Sequence, residues 1–178
     1  MRYIAFLRAI NVGGHVVKMD VLRKLFESLG YSNVETFIAS GNVVFETASR
    51  NTRAIEKAVE KTLHEKLGYE VHTFVRTCAE LAAIATYEPF SPRALEQASA
   101  FVVGFLADPL DASSRKKLMA LRTDVDDLHV NLREIYWLCR HKQSESTFSN
   151  ALFEKALGVR STFRGLNTVR RMAAKYPL

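Results

Sequence analysis

The stretch Thr36-Phe37-Ile38-Ala39-Ser40-Gly41-Asn42-Val43-Val44-Phe45 constrains the fold of this chain more than any other, because two β-rich runs meet in it at a Gly-Asn pair. Glycine and asparagine tolerate the positive φ angles of two-residue hairpin turns, so the stretch predicts a tight β-hairpin. Pairing outward from the turn sets Ser40 opposite Val43, Ile38 opposite Phe45 and Phe37 opposite Glu46. One face then carries Ile38 and Phe45, and the other carries Phe37, Ala39 and Val44. A strand pair that is apolar on both faces needs cover on both sides.

The flanking segments give the hairpin its context. Residues Tyr3 to Arg8 are apolar on both faces until the last, the pattern of a central strand. The glycine-bearing loop Asn11-Val12-Gly13-Gly14-His15 follows, and then Val21, Leu22, Leu25, Phe26 and Leu29 recur at helical spacing up to Gly30. After the hairpin a helix is predicted over Thr52 to Leu67, stopped by Gly68, and a strand over Glu70 to Arg76. This β-α-β-β-α-β order is the split βαβ pattern of ferredoxin-like domains.

A connector helix near Ala79 to Thr86 and the irregular Tyr87 to Pro92 then mark a boundary, and beyond it the order recurs. Strand Ala100 to Leu106, helix Ala112 to Leu121, strands Leu128 to Leu132 and Ile135 to Cys139, helix Phe148 to Leu157, a short strand Ser161 to Arg164 and helix Asn167 to Lys175 are expected. Turning the second hairpin at Arg133-Glu134 aligns Leu128, Val130 and Leu132 with Cys139, Trp137 and Ile135. The predicted fold is therefore α+β, two ferredoxin-like halves with antiparallel sheets and helices packed on one face. Residues 1–77 form the first half, 78–98 the connector, and 99–178 the second half with a basic C-terminal helix. No residue-level identity between the halves is visible, so duplication rests on element order alone.

Composition narrows the class. A chain of 178 residues can build its core without metal or disulfide. Cys78 and Cys139 lie far apart in apolar runs and lack metal-ligand spacing, which reads as reduced thiols in a cytoplasmic protein. The start, Met1 to Arg8, reads as a strand and not a signal peptide, and no run approaches membrane-spanning length, so no membrane partner is expected. The net charge of +6 is carried wholly by the segment from Arg133 onward, with nine basic and three acidic residues. Such an excess suits an anionic partner; it equally suits a solvated basic face.

Chemistry could be carried at two places. Arg8, Asn11, Gly13 and Lys18 border the first loop, and Ser40 and Asn42 border the hairpin turn. If strand register brings the two together, their donors form a cluster suited to an anion. Neither a Walker register nor G-x-G-x-x-G is present, and the glycines serve equally as a strand-to-helix turn. Asn42 and Ser40 could equally satisfy their own turn. Near the C-terminus, Arg164 and the expected N-cap Asn167 could hold an anion at a helix start, or Asn167 could simply cap it. The five histidines, His15, His64, His72, His129 and His141, show no metal-ligand pairing, so neither metal nor cofactor is expected. Ser144 and Ser146 read as part of a solvated loop.

The run Leu7-Arg8-Ala9-Ile10-Asn11-Val12-Gly13-Gly14, then Lys18-Met19 and Leu22, then Ser40-Gly41-Asn42-Val43-Val44-Phe45, resembles in order and spacing the bacterial family catalogued as domain of unknown function 1697 (DUF1697). The resemblance continues through Tyr136 to Thr168, where the family's usual Arg-Asn pair is replaced by Arg164-Gly165, with Asn167 and Thr168 retained. It implies a small cytosolic protein of two ferredoxin-like halves and brings no activity, cofactor or catalytic residue with it.

Three readings follow. The first is a binding module for an anionic ligand, a phosphorylated small molecule or nucleic acid, using Arg8, Asn11, Gly13, Lys18, Ser40, Asn42, Arg164 and Asn167. Nucleic acid would need Phe6, Phe37 and Phe74 exposed on an open sheet. The second is an enzyme acting on a small phosphorylated or carboxylated metabolite between the halves, with His15 or His129 as general base. The third is a homo-oligomer or partner-binding protein whose signature loops shape an interface.

Overall fold

The computed structural model describes residues 1–178 and contains eight strands and seven α-helices. They divide into two units, residues 1–83 with 172–178, and residues 84–171. In the first unit, β1 (Arg2–Leu7), α1 (Met19–Glu27), β2 (Ser32–Thr36), β3 (Asn42–Glu46), α2 (Thr52–Leu67) and β4 (Thr73–Thr77) follow one another, and α3 (Cys78–Thr86) starts directly after β4. The sheet order is β2-β3-β1-β4, antiparallel throughout. Alternation along the central strand sends Tyr3, Ala5 and Leu7 into one core with Val43, Phe45 and Val75, where Leu22, Phe26, Ile55, Val59 and Leu63 of the two helices meet them.

The outer edge of β4 is sealed by carboxylates: the Thr73, Val75 and Thr77 N–H groups donate to Glu60, Glu56 and Glu80 at 2.8, 2.9 and 2.8 Å. The last residues join this unit because Tyr176 is buried, with its ring edge against Phe37 and its hydroxyl donating to the Glu35 carboxylate at 2.9 Å. Lys175 reaches the same carboxylate at 3.0 Å. The division thus differs from the expected 1–77, 78–98 and 99–178 in returning the end of the chain to the first unit.

The second unit contains α4 (Pro92–Glu96), β5 (Ala100–Leu106), α5 (Ala112–Met119), β6 (Asp126–Asn131), β7 (Glu134–Cys139), α6 (Asn150–Leu157), β8 (Ser161–Gly165) and the start of α7 (Leu166–Lys175). Its sheet order, β6-β7-β5-β8, repeats the first topology. Val102, Leu106, Leu118, Leu128, Ile135, Trp137, Phe148 and Phe153 form its core.

The repeat reaches the level of single residues. Leu7 N–H donates to the carbonyl of Gly41, the residue before β3, and Leu106 N–H to Arg133, the residue before β7. From that anchor, Ile4 pairs with Arg76 and Val103 with Arg164, and both arginines are buried and donate to the carbonyl just before them, Val75 and Phe163, at 2.9 Å. Glu60 caps Thr73 N–H, and Glu154 caps the corresponding Ser161 N–H at 3.0 Å.

Several local expectations are corrected. The first hairpin does not turn at Gly41-Asn42: β2 ends at Thr36, which pairs with Val43, and residues 37–41 form a wider loop. Gly41 is drawn against β1, where a Cβ would stand 2.8 Å from Ile10 Cγ2, and the loop widens to reach it. Ile38 consequently has φ 50° and is exposed, not paired with Phe45. The second hairpin turns at Leu132-Arg133, because Asn131 pairs with Glu134; Leu128 faces Trp137, and Leu132 sits exposed in the turn at φ 52°. β4 begins at Thr73, three residues after Glu70, and α7 begins at Leu166, which puts Asn167 inside its first turn and not at the cap. Ser146 is half-buried, donating to the buried Asp126 at 2.6 Å.

Candidate functional site

At the end of the first sheet where β1 stops, two loops meet. The Leu7–Gly41 hydrogen bond and the contact of Gly41 with Ile10 hold residues 37–41 against the start of residues 8–18. Strand register therefore brings Ser40 and Asn42 beside the exit of β1 that carries Arg8, since Asn42 pairs with Phe6.

The base of the 8–18 loop is fixed and its tip is open. Asn11 Oδ1 accepts from Val17 N–H at 2.7 Å and pinches the loop closed. Tyr69 donates its hydroxyl to Ile10 O at 2.9 Å, and its ring stacks on His15 at 3.8 Å. Gly13 and Gly14 have φ of 67° and 85°, with nothing within 4 Å of where a Cβ would point. These are backbone conformations in which a side chain is strained, and both glycines are exposed. Lys18, exposed, is the N-cap of α1, and its side chain caps nothing; Asp20 lies in the first helical turn.

Arg8 is half-buried, and its N–H donates to His72 O at 2.9 Å. Asn42 is buried and spends its amide on its own loop, donating to Phe37 O at 3.1 Å and to Ser40 Oγ at 2.7 Å. Asn42 and Asn11 thus shape the two loops, and Arg8, Lys18 and the two glycines lie along the 8–18 loop beside them.

Arg164 and Asn167 belong to the second unit. Arg164 is buried, donates to Thr162 Oγ1 at 2.7 Å and Phe163 O at 2.9 Å, and burial pulls its guanidinium down to about 10. Exposed Asn167 lines a cavity of about 240 Å³ with Arg170, Ser99 and Phe101, while Arg170 donates to Ala85 O at 3.2 Å. His129 bonds the Tyr87 hydroxyl at 2.9 Å, and burial lowers its pKa. Phe6, Phe37 and Phe74 are buried, so they form no stacking platform for bases. Tyr69, which fixes the loop, was not legible as a site residue: it follows a helix-stop glycine 59 residues from the carbonyl it holds.

An α+β pair of ferredoxin-like halves, the first carrying a pinned glycine loop, is the class that this fold and site define. The chain belongs to the family described as protein of unknown function DUF1697, whose model matches residues 1–136. That match covers both N-terminal signature runs and stops short of the Arg164-Gly165 region. Comparison with curated proteins gives no match. Among solved structures, the conserved bacterial protein SP0830 from Streptococcus pneumoniae is similar in fold, with a TM-score of 0.76 at 22% identity over 97% of each chain.

Proposed function

We propose that the protein is a binding module for a small phosphorylated or carboxylated ligand, held at the Arg8–Lys18 loop. Arg8 and Lys18 supply positive charge, the Gly13-Gly14 backbone supplies amide donors, and Asn11, Ser40 and Asn42 hold the loops in shape. The observation that carries this reading is the contrast between equivalent positions of the two halves. The loop after β1 spans residues 8–18 and the hairpin loop beside it residues 37–41; after β5 the corresponding segments are only 107–111 and 132–133. The fold closes with the short pair, so the long pair is an elaboration that closing the fold does not require. Arg164 and Asn167 are outside this proposal. The buried phenylalanines favour a small molecule over nucleic acid.

The test is thermal denaturation with inorganic phosphate, pyrophosphate, sugar phosphates, nucleotides, small carboxylates and short RNA and DNA, at low and moderate salt, for wild type, Arg8→Ala and Lys18→Ala. A ligand bound only by the folded state raises the melting temperature by mass action. The expected result is a shift with a small anion that shrinks in both variants. Absence of any shift at millimolar anion, or a shift indifferent to both substitutions, would overturn the assignment. A strongly salt-dependent shift confined to oligonucleotides would replace it with phosphate-backbone binding.

A further inference from the structure

We infer that the anion taken by the Arg8–Lys18 loop carries an apolar body, as an alkyl or acyl phosphate or carboxylate does. This rests on the anion-binding reading and adds what the loop's aliphatic side chains are for. Eight large apolar side chains of the chain are exposed, and four of them, Val12, Val16, Val21 and Ile38, lie in the two loops and the first turn of α1. Val16 is 84% exposed, Val12 62% and Ile38 44%. Valine and isoleucine are poor turn formers, and nothing in loop closure asks for them at these positions.

The geometry places the loops that carry Val12, Val16 and Ile38 side by side. The Asn11–Val17 pinch holds Val12 and Val16 one residue from the neck on opposite sides of the same narrow loop. Gly41 against Ile10 draws the loop containing Ile38 alongside. In the other half, residues 107–111 bury their leucine, Leu110, and expose Asp108, Pro109 and Asp111. The turn 132–133 of that half exposes Leu132 where the first half exposes Ile38, so the exposed aliphatics that set the first half apart are Val12 and Val16 of the 8–18 loop. Its net charge is positive: from Arg8 to Lys24 the chain carries Arg8, Lys18, Arg23 and Lys24 against Asp20 alone. Exposed aliphatic surface next to cations and open amides complements a ligand with a negative head and an apolar tail. The anionic surface of a bilayer offers the same chemistry, and the experiment separates the two sources.

Binding would be measured by titration calorimetry with inorganic phosphate and with methyl, butyl, hexyl and octyl phosphate below their micellar concentrations. Wild type would be compared with a Val12→Ser/Val16→Ser double variant, whose exposed substitutions leave the ligand-free melting temperature unchanged. Each methylene that reaches the patch should tighten binding about fourfold. That gain should vanish in the double variant while its affinity for inorganic phosphate stays at the wild-type value. Co-sedimentation with phosphatidylglycerol but not phosphatidylcholine vesicles, lost in the double variant, would support the inference with a lipid headgroup as the source. Phosphate binding with no gain along the series and no variant-sensitive vesicle binding would overturn the inference and leave the anion site standing. Failure of every anion to bind would remove both.

Discussion

The two halves share a topology down to hydrogen-bond register, yet they fill equivalent positions with different chemistry. In the first, Tyr31 just before β2 stacks on Phe45 at 4.7 Å. In the second, the partner of the corresponding Trp137 is a buried carboxylate: Asp126 accepts from Trp137 Nε1 at 2.7 Å and from the Thr123 and Ser146 hydroxyls at 2.6 Å each. Ala5 and Val75 face each other across the first sheet where Gly104 and Phe163 do so across the second. At the end of the sheet the contrast is largest, an open eleven-residue loop in one half and a capped five-residue loop in the other. Backbone pairing and edge sealing recur with the fold; side chains vary as long as each position stays packed and satisfied.

The largest effect is expected at Asp126. Replacing it with alanine leaves an indole N–H and two hydroxyls without their acceptor, which should cost about 4 kcal/mol. The chain's single tryptophan is one of those donors, so urea unfolding followed by its fluorescence reads the second half directly. A loss below about 1 kcal/mol would show that water replaces the carboxylate, and would break the contrast with the stacked Tyr31. A pH dependence accompanies it. Burial alone would raise the Asp126 pKa, but hydrogen bonds from Ser146, Thr123 and Trp137 outweigh it and hold the carboxyl below its ordinary value. A depressed folded-state pKa gives stability that is present above the unfolded carboxylate value, about 3.9, and is lost as pH falls through the folded one. The tryptophan-detected stability of wild type should therefore fall below about pH 4, and Asp126→Asn should flatten that fall.

A smaller effect is expected at the Gly104–Phe163 pair. A Cβ on Gly104 would lie 2.6 Å from the Phe163 ring, which in turn meets Trp137, Phe148 and Phe153 edge-on. Gly104→Ala should cost about 2 kcal/mol by overpacking, and Phe163→Val a similar amount through the space it leaves. The double variant recreates the Ala–Val pair of the first half, so its loss should be smaller than the sum of the two single losses, by about 1 kcal/mol or more. Strict additivity would mean that the two halves are not interchangeable at this position.

These compensations explain what the sequence could and could not convey. Element order was legible apart from α4, a five-residue helix inside the expected irregular linker, and the bounds of α2 and β5 match the helical and alternating patterns that predict them. Hairpin register was not, because Gly41 is placed by its contact with Leu7 and Ile10 and not by its preference for a two-residue turn. The correspondence of the halves was hidden for the same reason that they both fold: Gly104 and Phe163 stand where the first half has Ala5 and Val75, leaving little identity to find. Arg164 looked like an anion ligand because arginine beside a helix start usually is exposed, and only register reveals it as the counterpart of buried Arg76. At the first loop, Arg8, Lys18 and the glycines were visible, whereas Tyr69 and the exposure of Val12 and Val16 depend on the folded loop.

The smallest stability change sharpens the comparison most, because it moves stability and binding in opposite directions. α5 begins at Asp111, whose carboxylate accepts from Ser114 N–H at 2.7 Å; α1 begins at Lys18, which offers no acceptor and places a cation where the helix dipole disfavours one. Lys18→Asp transplants the cap of the second half onto the first, and should stabilise the protein by about 1 kcal/mol. The same substitution removes a cation from the candidate site and introduces a carboxylate that repels an incoming anion. The variant should therefore melt slightly higher than wild type without ligand and lose the anion-induced shift. A gain in stability with undiminished anion binding would detach Lys18 from the site. A loss of stability would instead mean that Lys18 serves the loop itself, and that the long loop holds its cation for its own conformation.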